Sequence, residues 1–321
     1  MQGPLIQDPL GFDVPLPLAA SFYPLGFPLT VETNAPEVLT LAASLWSKWK
    51  PRAGARPAHL RIAVSDTAAT VPVIPGMPRG QRHLISAIHS PENFAICDVR
   101  NSFAWACVTR DIALDTEYFR YHFLDMLAYL MIDSAHLAPV HGACVAWRDR
   151  AMLLCGDSGA GKTSLAYTCA RLGWTYLSDD ATHVVRGDNT PSVAGRPYFI
   201  RFRESARALF PELANFVPKR RPNGKLDIEV ETSRLDLAVA EERPLGHIVF
   251  LNRSDVPDAR IEDYPASRAL THFETLVCYG DETVRREQAK TFRSLLRLPV
   301  QRLTYRDLAA AESALRELAE S

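Results

Sequence analysis

Hydrophobic and polar residues are patterned differently in the two halves of the chain, and the change falls near residue 140. In the first half, 36–49 carries Val38, Leu41, Leu45 and Trp46 at the spacing of one helix face, with Asn34 placed as an N-cap. Segment 59–64 reads as a strand. Segments 83–88, 93–99 and 103–109 read as short antiparallel strands, apolar and aromatic, punctuated by Ser90-Pro91 and Asn101-Ser102. A helix is predicted over 115–134, where Asp115 caps and Tyr118, Phe119, Phe123, Leu127 and Leu130 recur on one face before Pro139. The residues before about 30 include Pro4, Pro9, Pro15, Pro17, Pro24 and Pro28 and predict irregular chain.

Beyond residue 140, short apolar runs alternate with helical stretches. Strands are expected at 140–147, 151–155, 175–177, 246–251 and 299–304. Helices are expected at 162–172, 266–277, 283–297 and from about 305, with Gly173 closing the first of them. Strands mixed with helices of this length predict an α/β layer architecture. The expected organisation is a smaller α+β domain over 1–134 and an α/β domain over 135–321.

Composition narrows the function classes. The chain has 321 residues, 47% hydrophobic and 23% charged, with 36 basic and 37 acidic side chains. That balance argues against a global nucleic-acid field. Six cysteines (97, 107, 144, 155, 169 and 278) contain no C-x-x-C pair, which leaves structural zinc without support and fits thiols in a reducing cytoplasm. No basic residue precedes Lys48, and the apolar segment 123–132 is short and interrupted by Asp125, so neither a secretory signal nor a membrane span is expected.

The chemistry concentrates at Gly156-Asp157-Ser158-Gly159-Ala160-Gly161-Lys162-Thr163, followed by Ser164, which matches G-x-x-x-x-G-K-[ST]. Glycines let such a loop turn tightly and aim amide hydrogens at phosphate oxygens. The lysine brings a positive charge to the outer phosphates, and the threonine hydroxyl can ligate Mg²⁺. The apolar Met152–Cys155 run precedes the loop, and the stripe Leu165, Ala166, Cys169 and Leu172 follows it. The order is therefore strand, glycine loop, helix, whose N-terminus favours an anion. Asp179 and Asp180 stand 17 and 18 residues after Lys162, at the end of an expected strand. Beside a bound nucleotide, one could hold the metal and the other accept a proton.

Taken together, His141-Gly142, the 156–163 loop and Leu177-Ser178-Asp179-Asp180 resemble the HPr kinase/phosphorylase superfamily, P-loop kinases related in fold to ATP-dependent PEP carboxykinase. His141 lies 21 residues before Lys162, as in that pattern. The resemblance covers about 45 residues, 140–184. It implies ATP and Mg²⁺ as cofactors, His141 and Lys162 as active-site residues, Asp180 as acid/base and Thr163 as magnesium ligand. It also implies a homo-oligomer. The acceptor would be the hydroxyl of a protein, peptide or small molecule. A regulatory ATPase with water as acceptor is the alternative. The family's downstream glutamate, arginine and glycine signature is not reproduced; 195–204 reads Gly-Arg-Pro-Tyr-Phe-Ile-Arg-Phe-Arg-Glu. HPr itself is therefore not carried over as substrate, nor a metal role for Glu204.

Two features remain. Residues 196–225 hold eight basic and two acidic side chains, a local surplus suited to phosphate or acidic substrate, or simply a solvated basic face. Within it Pro222-Asn223-Gly224-Lys225 reads as a turn. Asn252-Arg253-Ser254-Asp255 only faintly mimics a guanine-reading tetrad, with arginine where that motif has lysine.

Overall fold

A computed structural model describes residues 14–187, 190–221, 224–276 and 281–321. The chain divides into two compact units. One runs to His136 and takes in Asp281–Val284; the other begins at Leu137 and includes Arg285–Ser321.

The first unit is built on a seven-stranded sheet. Its strands are β1 (Leu18–Phe22), β2 (Leu29–Thr33), β3 (Ala58–Ser65), β4 (Arg79–Gln81), β5 (Leu84–Ile88), β6 (Phe94–Asp98) and β7 (Phe103–Thr109), in the order β1-β2-β3-β7-β6-β5-β4. Strands β2, β3 and β7 are parallel and the other pairs antiparallel. Helices α1 (Pro36–Trp46), α2 (Arg110–Leu114), α3 (Thr116–Phe119) and α4 (Asp125–His136) contribute buried Trp46, Phe119, Leu127 and Met131 to the core.

Three expectations are corrected here. The proline-rich start is not wholly irregular: Leu18–Phe22 pairs antiparallel with Leu29–Thr33, and the intervening prolines occupy the turn between them. The prolines before residue 14 lie outside the described residues. Asn34 does not cap α1. Its amide pairs with the backbone of Val64 on β3, and Pro36 opens the helix instead. The helix expected over 115–134 contains a π turn at Arg120–Leu124, where the Asp125 amide donates to the Arg120 carbonyl and the two side chains pair at 3.2 Å. Asp115 does accept from the Tyr118 amide at its start.

The second unit is mixed α/β. Its strands are β8 (Leu137–His141), β9 (Ala143–Trp147), β10 (Arg150–Cys155), β11 (Thr175–Ser178), β12 (Ala181–Val185), β13 (Ser192–Ala194), β14 (Phe199–Arg203), β15 (Lys219–Arg220), β16 (Leu226–Glu231), β17 (Glu242–Arg253), β18 (Arg260–Asp263) and β19 (Val300–Tyr305). Its helices are α5 (Lys162–Arg171), α6 (Ala266–Glu274), α7 (Glu282–Leu295) and α8 (Leu308–Glu320). The 12-residue β17 joins two arms of one sheet. Its first residues pair with β13, leading through β12 to β8; its later residues pair with β10 and β19. Helices α5 and α8 cover one face, with Leu165, Cys169, Trp174 and Leu315 buried, while Ala269, Phe273 and Phe292 of α6 and α7 fill the other. Strands β14, β16 and β15 form a separate small sheet.

The sheet is not uniformly parallel. The run 140–147 is two strands broken at Gly142, and antiparallel β9 lies between β10 and β11. Thus β11 still points the same way as β10, and the Asp179-Asp180 end reaches the glycine-loop end of the sheet, but not as β10's neighbour.

Candidate functional site

Strand β10 ends at Cys155, and the chain must turn sharply to enter α5. Gly156, Gly159 and Gly161 have φ of 144°, 90° and 92°, values L side chains rarely adopt. At Gly161 there is also no room: a Cβ would collide with the Tyr305 hydroxyl, which donates to the Ala160 carbonyl at 2.7 Å. Ala160 donates its amide to the Asp157 carbonyl. The amides of Ser158, Gly159, Gly161, Lys162 and Thr163 have no acceptor among the described residues. They make a cradle of donors at a helix N-terminus, the arrangement that accepts a phosphate.

Lys162 is buried, and its ammonium arches back over the loop, donating to the carbonyls of Gly156 (2.8 Å) and Asp157 (3.1 Å). Burial lowers its pKa from the ordinary value, opposed chiefly by the nearby charge of Asp180. The positive charge is thus fixed beside the first residues of the loop.

A second feature is the crossing between the two arms of the sheet. The chain passes from β8 to β9 at Gly142 and from β11 to β12 at Asp179-Asp180. Here the Gly142 amide donates to the Asp180 carbonyl at 2.9 Å, and the Thr182 hydroxyl donates to the Gly142 carbonyl at 2.8 Å. Ala181 is paired with His141 in the β8–β12 ladder. This stitching brings His141 and Asp180 together, with Nδ1 of the histidine 3.0 Å from Oδ1 of the aspartate, both side chains more than half exposed. The His141 hydrogen bond, aided by the charges of His141, Lys162 and Arg201, holds the Asp180 carboxyl below the ordinary carboxylate range. Asp180 is therefore an exposed carboxylate that favours its ionised form.

The neighbouring aspartate is its opposite. Asp179 is buried, and its Oδ2 accepts the backbone amide of Arg201 at 2.8 Å. Burial pushes it up to about 6, against the Arg201 hydrogen bond and charge. The Thr163 hydroxyl lies 3.5 Å from the carbonyl oxygen of Asp179, so it is the main chain of that residue that stands beside the threonine. Glycines 156, 159 and 161, Asp157, Ser158, Ala160, Lys162, Thr163 and Ser164 lie in one continuous loop–helix segment, and Asp180 is within electrostatic range of Lys162.

Three groups at this edge were not singled out as site residues by the sequence. Tyr305, at the end of β19, buttresses the loop. His272 on α6 stands edge-on to Phe250 at 5.2 Å, and its charge couples to Asp157, Lys162 and His141. Arg203, the last residue of β14, donates to the Ser158 hydroxyl at 2.9 Å. Arg203 was visible only as one member of the 196–225 cluster, Tyr305 only just past the end of the expected strand over 299–304, and His272 only within the expected helix over 266–277. The Asn252 tetrad is engaged elsewhere, with Asn252 donating to Thr304 and Asp255 paired with Arg306. Glu204 pairs with Arg207 at 3.6 Å. Of the turn expected at 222–225, Pro222 and Asn223 lie outside the described residues, as does Cys278; the Arg221 amide donates to the Lys225 carbonyl at 2.8 Å.

Among the described residues, no three His, Cys, Asp or Glu side chains converge as a metal site, and no helix is long and apolar enough to cross a membrane. No family model matches the chain, and no curated protein does. Among solved structures 55 chains match. One is the Hpr(Ser) kinase/phosphatase from Coxiella burnetii, 12% identical, with a TM-score of 0.33, covering 56% of this chain and 89% of that one. A likeness at that level assigns neither site residues nor activity.

Proposed function

We propose that this chain is an ATP- and magnesium-dependent phosphotransferase of HPr kinase-like type, moving a terminal phosphoryl group to the hydroxyl of a protein, peptide or small molecule. One observation carries the reading: an exposed carboxylate, Asp180, paired with His141, lies within electrostatic range of the lysine of an open amide cradle. The donors of 156–163 bind the phosphate tail, and Lys162 supplies charge at its outer end. Positioning and charge neutralisation of this kind account for most of phosphoryl-transfer catalysis. Asp180 takes the acceptor hydroxyl's proton, and His141 orients its carboxylate.

The chain's fit to a magnesium ion rests on few protein oxygens: the Thr163 hydroxyl with the adjacent Asp179 carbonyl, and Asp180 nearby. That suits a cation that keeps several waters and leans on phosphate oxygens. When bound it would offset phosphate charge. Asp179 is proposed as its second protein ligand through the carbonyl beside the Thr163 hydroxyl, its carboxylate being held by the Arg201 amide.

The test is transfer from γ-labelled ATP into acceptors in a host lysate. Asp180→Asn is expected to retain ATP binding while transfer falls about 10²–10⁴-fold; Lys162→Ala is expected to weaken both. Wild-type transfer by Asp180→Asn would remove the base assignment. Label appearing only as inorganic phosphate would make water the acceptor and the protein a regulatory ATPase.

A further inference from the structure

The basic surplus over 196–225 is not one undifferentiated surface. Arg201 donates through Nε to Glu229 at 2.7 Å, and Arg221 pairs with the same carboxylate. Arg207 reaches the Phe216 carbonyl at 2.6 Å as well as Glu204, and Arg220 reaches the Gly224 carbonyl at 3.0 Å. Arg203 differs. Its Nη2 donates to Ser158, the third residue of the glycine loop, and no carboxylate pairs with it among the described residues. Asp227 stands opposite it in the β14–β16 ladder without forming an ion pair.

Two further facts locate its guanidinium relative to a ligand. The Lys162 ammonium lies over the carbonyls of Gly156 and Asp157, so the outer phosphates belong at the beginning of the loop, next to Ser158. Arg203 and Lys162 also sense each other's charge. Two cations brought together beside open amides, one of them uncompensated, create a potential that a polyanion relieves. Arg203 is carried on a strand whose Ile200 and Phe202 are fully or almost fully buried, so its base is fixed while its head is exposed.

We propose that Arg203 completes the cradle by contacting the terminal phosphate of a bound nucleoside triphosphate, making the site prefer a triphosphate to a diphosphate. The proposal rests on the reading of 156–163 as the nucleotide site. A planar guanidinium suits this task because it offers paired donors to phosphate oxygens, which an ammonium does not.

The experiment is calorimetric titration of the full-length protein with Mg²⁺ and either a non-hydrolysable imido analogue of ATP or ADP. Arg203→Gln is expected to lose about tenfold or more in affinity for the triphosphate analogue and less than about threefold for ADP. Arg203→Lys should recover part of the difference. Both variants should melt as the wild type does, since the head group is exposed. Equal loss for both ligands, or no loss for either, overturns the proposal while leaving the nucleotide site intact. A wild-type protein that binds neither ligand overturns the functional reading itself.

Discussion

The molecule contains two strand-to-helix connections of similar topology and opposite chemistry. Strand β2 leads into α1 and then to β3, parallel to β2; β10 leads into α5 and then to β11, which runs the same way beyond β9. In the first connection the polar groups are closed off. The Thr33 hydroxyl accepts the Ala35 amide, Asn34 makes two 2.8 Å bonds to Val64, Pro36 has no N–H, and Glu37 meets Arg110. In the second, the loop turns on three positive-φ glycines, the amides of Ser158, Gly159, Gly161, Lys162 and Thr163 are left without acceptors among the described residues, and the lysine donates to the carbonyls of Gly156 and Asp157 in its own loop. The general lesson is that a helix N-terminus becomes an anion site only where side chains do not already satisfy its donors.

Filling the open connection gives the largest expected effect. Gly161→Ala places a methyl against the Tyr305 hydroxyl and forces an alanine to φ near 92°. Calorimetry with ATP should show affinity falling by more than about tenfold. An unchanged affinity would mean that the donors of this loop do not hold the ligand.

The next effect separates stability from binding. Burial raises folded Asp179 from its ordinary 3.8 to about 6. The sign follows: its contribution to stability is complete below about pH 4 and is lost as pH rises through about 6. A change of that size corresponds to at most ~3 kcal/mol. Asp179→Asn should therefore gain stability relative to wild type at pH 8 compared with pH 4.5, read by urea unfolding at both values. A gain larger at the acid end would reverse the assignment.

The smallest effect tests the closed connection. Asn34→Ala removes both bonds to Val64 and should destabilise the protein by about 1–3 kcal/mol, with ATP affinity unchanged. Thermal melting and calorimetry on the same sample give both quantities. A fall in ATP affinity would end the contrast between the two connections.

The features legible in the sequence were those encoded within a few residues. The strand–loop–helix order around 150–171 needs only Met152–Cys155, three glycines and one helical stripe, and the observed elements follow it. Sheet assembly was not local. Nothing near Thr175 indicates that β9 inserts between β10 and β11. Asn34 satisfies its amide 30 residues away, where a local reading offers only a cap. Strands β14 and β16 were obscured by charge: Ile200 and Phe202 alternate with Arg201 and Arg203, and Ile228 and Val230 with Asp227, Glu229 and Glu231. Counting charge hid a period of two, and with it the strand that presents Arg203 to the loop.

Strand β17 links these regions in a way that matters for how the protein tolerates change. Its opening residues Glu242–Pro244 anchor β13 and, through β12 and β8, the His141–Asp180 pair; its later residues anchor β10 and the glycine loop. Damage confined to the opening residues of this shared spine would therefore loosen the support of the His141–Asp180 pair while leaving the pairing that holds β10 and its glycine loop in place.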